Sequence, residues 1–105
     1  MTSNYNFNGL VPVGVNVEDN VNRALEYQKT HTTLETVAWF KDVVRNNRDG
    51  HLPLWESMDY KQINPIYSEF GNFNYGVVGK ALGFPDFVLK QTEYRTPSPI
   101  VSIVN

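Results

Sequence analysis

Cysteine is absent from this chain, which excludes disulfides, thiolate nucleophiles and zinc sites built on thiolates, and leaves cytoplasm and periplasm equally open. Positive charge is scarce as well. Nine Lys and Arg stand against eleven Asp and Glu for a formal net charge of -2, and the cations are scattered, so there is no electrostatic footprint for a polyanion. That balance argues against nucleic acid or an acidic membrane as a partner recognised by overall charge, leaving room only for a small local basic patch. No run of about 18 apolar residues occurs, so no membrane span is expected. Met1 to Asn8 lacks the basic and apolar regions of a secretory signal, so export would rely on a carrier. Histidine occurs only at His31 and His51, neither in a serine motif nor at metal-ligand spacing. Asp49, His51 and Asp59 have ligand chemistry but nonspecific spacing, and neither a metal nor a cofactor is expected.

What is present describes a globular protein: 41% hydrophobic and 19% charged residues over 105 positions, enough for one domain spanning 1–105. A chain of that size buries roughly two thirds of its unfolded surface. Residues 1–15 read as an extended lead-in with Leu10, Val11, Val13 and Val15 along the core. Asn16 can cap a first helix, in which Val17, Val21, Ala24 and Leu25 recur at helical spacing, ending near Lys29. Thr32 and Glu35 fit a capping box for a second helix whose apolar face is Leu34, Val37, Ala38, Phe40, Val43 and Val44, stopped by Asn47 and Gly50. An ordered loop with Leu52, Leu54 and Trp55 follows. Asn64-Pro65 opens a third helix running to Gly83, with a break near Gly71, and Phe84-Pro85-Asp86 turns into a last helix through Leu89 and Gln91. The tail, 96–105, is extended and has strand potential at Ile100, Val101, Ile103 and Val104. The expected fold is mainly α, a small single-domain bundle of about four helices with extended termini.

Between Glu69 and Gly83 the chain concentrates four of its seven glycines and three aromatics around Asn72 and Asn74. Glycine costs roughly 1 kcal/mol relative to alanine inside a helix, so such a cluster calls for close backbone packing or a ligand approaching the main chain. On a helix, Glu69, Asn72, Phe73 and Gly76 share one face and Phe70, Asn74 and Val77 a neighbouring one. Aromatic neighbours desolvate a carboxylate and raise its pKa, which turns a Glu into a general acid. Glu69 is the candidate acid. Asp59 is a second carboxylate that can stay ionised as base, nucleophile or electrostatic stabiliser, and Lys61 can stabilise developing negative charge. Tyr60, Gln62, Asn72, Phe73, Asn74 and Tyr75 are candidate substrate-binding residues. Trp39 and Trp55 can also stack on a sugar or base, although Trp39, at a helix position, fits the core. The competing reading makes Glu69 a solvated helix residue, the asparagines partners of loop backbone, and the glycines the means of a tight helix crossing.

Asp59-Tyr60-Lys61-Gln62, then Tyr67, Glu69-Phe70-Gly71-Asn72-Phe73-Asn74-Tyr75-Gly76 and Gly79 resemble the bacterial polymorphic toxin type 44 domain. Val15 to Asn20 ahead of a helix, and Trp39-Phe40-Lys41 ahead of a basic turn, resemble its amino-terminal half, so the likeness covers about residues 11 to 91. One departure is Met58, where the family commonly has Trp before the Asp-Tyr-Lys triplet; here Trp55 lies three residues earlier. The family's shared polar residues map onto Asp59, Lys61, Glu69, Asn72 and Asn74. The resemblance implies a toxin module at the tip of a larger secreted effector used against rival bacteria, and a cognate immunity protein that neutralises it in the producer.

The leading functional expectation is a hydrolase of the target cell envelope, acting on peptidoglycan or its precursor in the periplasm, with Glu69 donating a proton and Asp59 assisting. A cytotoxic ribonuclease is the alternative, weakened by the lack of clustered cations. A nonenzymatic binding module, docking through the aromatic and glycine surface, is the third.

Overall fold

The computed structural model describes residues 5–45, 52–53 and 56–85. Of these, 64% are helical and none lies in a strand, so the protein is mainly α. Helix α1 spans Val17–Thr30. Asn16 is extended and its side-chain oxygen accepts the Asp19 N–H at 3.2 Å, satisfying one of the donors that a helix start leaves without a partner. Glu18 and Asp19 in the first turn and Lys29 in the last complement the helix dipole. Val17, Val21 and Ala24 are buried, with Leu25 packed beside them, as the spacing predicts.

Helix α2, Thr33–Trp39, begins with the expected capping box: Glu35 N–H donates to Thr32 Oγ1 at 3.1 Å and Thr32 N–H to Glu35 Oε1 at 2.8 Å. Its buried face differs from the expected one. Leu34 is 82% exposed and Ala38 is exposed, while Thr36 is buried and donates its hydroxyl to the Thr32 carbonyl. The cause is a change of helix type. From Phe40 to Arg45 the chain winds as a π-helix, in which Phe40, Val43 and Val44 are buried. The wider turn shifts the side-chain phase, so the apolar residues on either side of Trp39 no longer share one stripe. The stop at Asn47 and Gly50, and Leu54 and Trp55 of the following loop, lie outside the described residues.

The lead-in also departs from expectation. Leu10, Val11 and Val13 face solvent, Val13 at 99% exposure, and only Val15 of that set packs against the core. Tyr5 and Phe7 reach it instead, the Phe7 ring lying 5.5 Å from Phe70 and 5.1 Å from Phe73. Aromatic rings bury far more area than valines, which decides the competition for the core. Gly14, at φ 79°, turns the chain towards α1.

After the loop, Met58 N–H donates to the Val43 carbonyl at 2.7 Å, and Tyr60–Gln62 forms a single 3₁₀ turn. Pro65 opens a second, Pro65–Tyr67, with Asn64 Oδ1 accepting the Ile66 N–H, and this leads directly into α3, Ser68–Ala81. The helix runs through Gly71 without the expected break. It ends at Gly83, φ 91°, where Gly83 N–H bonds the Lys80 carbonyl and Phe84 N–H the Gly79 carbonyl, a Schellman closure. The expected last helix through Gln91 and the extended tail lie outside the described residues.

The core forms where α1 crosses α3. Ala24 and Val78 are fully buried there, Phe70, Met58 and Leu82 close the layer, and Phe40 joins it from the π-turn, 4.7 Å from the Tyr75 ring. Each large apolar side chain so buried contributes about 1.5–3 kcal/mol. Among the described residues no helix is long and apolar enough to cross a membrane.

Candidate functional site

The Asp59-Tyr60-Lys61 segment is pinned between the π-turn and α3, and its side chains diverge. Asp59 sits just before the 3₁₀ turn, its N–H donating to Ser57 Oγ at 3.0 Å. Its side chain is only 3% exposed and its carboxylate lies 2.5 Å from Lys61 Nζ. A buried carboxylate needs such a counterion, since removing it from water uncompensated costs several kcal/mol. Both groups line a cavity of about 20 Å³, room for roughly one water molecule. Arg45 enters from the end of the π-turn, and Ser68, Gly71, Asn72 and Tyr75 complete the wall from α3. These four α3 residues fall at i, i+3, i+4 and i+7, one helical face.

That face is not the one expected. Full burial of Phe70, Asn74 and Val78 fixes the phase of α3, and Ser68, Gly71, Asn72 and Tyr75 then flank the core on the Asp59 side. Glu69 follows Ser68 by one residue, a rotation of about 100°. It is exposed and does not line the cavity, so no second carboxylate joins Asp59 there, and the aromatic desolvation expected around Glu69 is missing. Of the residues singled out from sequence, the structure gathers Asp59, Lys61, Asn72 and Tyr75. It leaves Glu69 and Gln62 in solvent, and packs Phe73 half-buried against Phe7.

Asn74 has a different place. It is fully buried, its carbonyl oxygen accepting from Asn20 Nδ2 at 2.8 Å and its amide directed at Met58 Sδ at 3.5 Å. Asn20 Nδ2 also donates to Tyr60 Oη at 2.8 Å, so one polar node ties α1, the 3₁₀ turn and α3 together. Burial pushes the Tyr60 phenol above its ordinary pKa, opposed by the Asn20 hydrogen bond and the nearby Arg23 charge. Met58, the departure from the family pattern, is a core side chain here.

The glycines sort differently as well. A Cβ at Gly71 or Gly76 would meet nothing within 4 Å, so close helix crossing explains neither. Gly71 instead leaves backbone open beside the cavity.

Sequence reasoning missed Arg45 and Ser68. Ser68 was within reach of a helical wheel centred on Phe70, Asn74 and Val78; Arg45 was not, because the π-turn that delivers it breaks the periodicity. It also missed a second hollow of about 520 Å³, which shares no lining residue with the cavity and is bordered by the lead-in, α1, Ser57, Tyr60, Ile63 and Tyr67. No three His, Asp or Glu residues cluster as a metal site among the described residues, and Asp49 and His51 lie outside them.

No family model, no curated protein and no solved structure matches this chain.

Proposed function

We propose that the chain is the toxin module of a larger secreted bacterial effector, restrained in its producer by an immunity protein, and that it hydrolyses a component of the target cell envelope, peptidoglycan or its precursor. The observation that carries this reading is the buried Asp59 carboxylate, held by Lys61 in a cavity sized for one water and walled by Asn72 and Tyr75. All four come from the two stretches that resemble the toxin family.

Chemically, Asp59 is the base. The water oxygen bonds to the scissile centre as its proton passes to Asp59, and the leaving group departs with a proton from solvent. Lys61 stabilises the negative charge that develops on the attacked group, an effect strongest where water is excluded. The cavity is too small to enclose a substrate, so the substrate lies across its mouth, where exposed Asn72 offers an amide. Glu69 has no part in this scheme.

A ribonuclease reading is favoured by one observation: Arg45 and Lys61 place two cations beside a single carboxylate, which suits a phosphodiester. Expressing the domain with and without a periplasmic export signal separates the two. Killing only on export is expected, and Asp59→Asn should reduce it by about 10²–10⁴ in rate, the usual worth of a general base, with the circular dichroism spectrum retained. Killing confined to the cytoplasm would transfer the site to RNA. Undiminished toxicity of a folded Asp59→Asn protein would remove catalysis at this carboxylate altogether.

A further inference from the structure

The larger hollow has chemistry of its own. Tyr60, only 4% exposed, is among its lining residues; its hydroxyl oxygen accepts from Asn20, also in the lining, and its own proton meets no acceptor among the described residues. Beside it, Asn20 has both its hydrogen bonds made through Nδ2, and no described residue donates to its amide oxygen. A donor and an acceptor therefore sit side by side, fixed by a shared hydrogen bond.

Around that pair the rim alternates. Asp19 presents an exposed carboxylate with no side-chain partner among the described residues. Arg23 is clamped by its Nη2 donating to the Glu56 carbonyl at 2.6 Å and by its stacking over Trp39 at 5.8 Å, yet most of its five donors are uncommitted. One acid and one base leave the rim neutral overall. Val13, Ile63 and Tyr67 add apolar groups to the lining.

We infer that this hollow binds a neutral saccharide. A pyranose has hydroxyls that each donate and accept, and a C–H face that packs on aromatic and aliphatic groups; the hollow offers the complement of both. With one acid and one base in the lining, neither an anion nor a cation gains net attraction from the hollow as a whole. The volume of about 520 Å³ falls within the 300–1,000 Å³ of small-molecule sites. Tyr60, Asn20 and Arg23 are held by hydrogen bonds before any ligand arrives, which lowers the entropic cost of binding. At neutral pH the Tyr60 phenol is protonated, hence a donor, as any phenol with a pKa of about 10 is, and burial only raises that pKa further. The inference goes beyond the hydrolase reading and does not require it, since none of these residues lines the Asp59 cavity.

The test is calorimetric titration of the full chain with cellotetraose, maltotetraose and the β-1,4-linked tetramer of N-acetylglucosamine, with tetragalacturonate as the charged counterpart. At least one neutral tetramer should bind, and Tyr60→Phe and Asp19→Asn should each weaken it about three- to tenfold, the worth of one or two hydrogen bonds. Should Tyr60→Phe lower the melting temperature, Asp19→Asn, on an exposed side chain, decides alone. Absence of binding by all three neutral tetramers at millimolar concentration, binding indifferent to Asp19→Asn, or tighter binding of tetragalacturonate would each overturn the assignment.

Discussion

Asn72 and Asn74 lie two residues apart in a single motif, and read as sequence they are equivalent. Helical geometry separates them by about 200°, so Asn72 reaches the cavity mouth from solvent while Asn74 is sealed in the core. Their substitution should therefore differ. Asn74→Ala removes the acceptor of an Asn20 hydrogen bond and opens a void at a fully buried point, at an expected cost of about 1–3 kcal/mol in urea unfolding. Asn72→Ala should stay within about 0.5 kcal/mol of the parent. Glu69 illustrates the same point: its type fits an acid catalyst, but one step along the helix turns it away from Asp59. Asp59 and Lys61 were legible because two residues in one tight turn need no tertiary information to meet. Arg45, Asn20 and Arg23 were not, because distant parts of the chain bring them to their places.

For helices, the boundaries set by local chemistry were readable. Asn16, the Thr32 and Glu35 box, Asn64 before Pro65 and the turn at Gly83 each satisfy backbone groups within a few residues. The π-turn over Phe40–Arg45 was not readable, since nothing in the local spacing distinguishes it from α; it arises where Phe40, Val43 and Val44 are all buried. Glycines within α3 give a direct experiment on this scale. Gly71→Ala and Gly76→Ala meet no neighbouring atom and should each stabilise the protein by up to about 1 kcal/mol through helix propensity. Only the first adds a methyl group beside the cavity. Thermal melts of the two variants should rise together; a fall for either would show that its glycine serves the packing of α3.

The molecule as a whole is held by packing of α1 on α3 and by the polar node at Tyr60, which makes its stability sensitive to alkali. Tyr60 has a folded pKa above its unfolded value of about 10, so between those values the unfolded chain has lost a proton that the native state retains. Its contribution is fully present below about pH 10 and disappears as pH rises through the folded value. Urea unfolding between about pH 9 and 11 should show a decline in stability that Tyr60→Phe flattens. The mainly α architecture was legible from helical periodicity, but not which apolar residues form its core: exposed Leu34 and Val13 carry the same hydrophobicity as their buried counterparts. The strip from Ser57 to Lys61 also has two faces. Ser57 and Tyr60 border the larger hollow, whereas Met58, Asp59 and Lys61 border the smaller. It is a party wall one peptide thick, so the tenants of the two hollows would be separated by a single run of backbone.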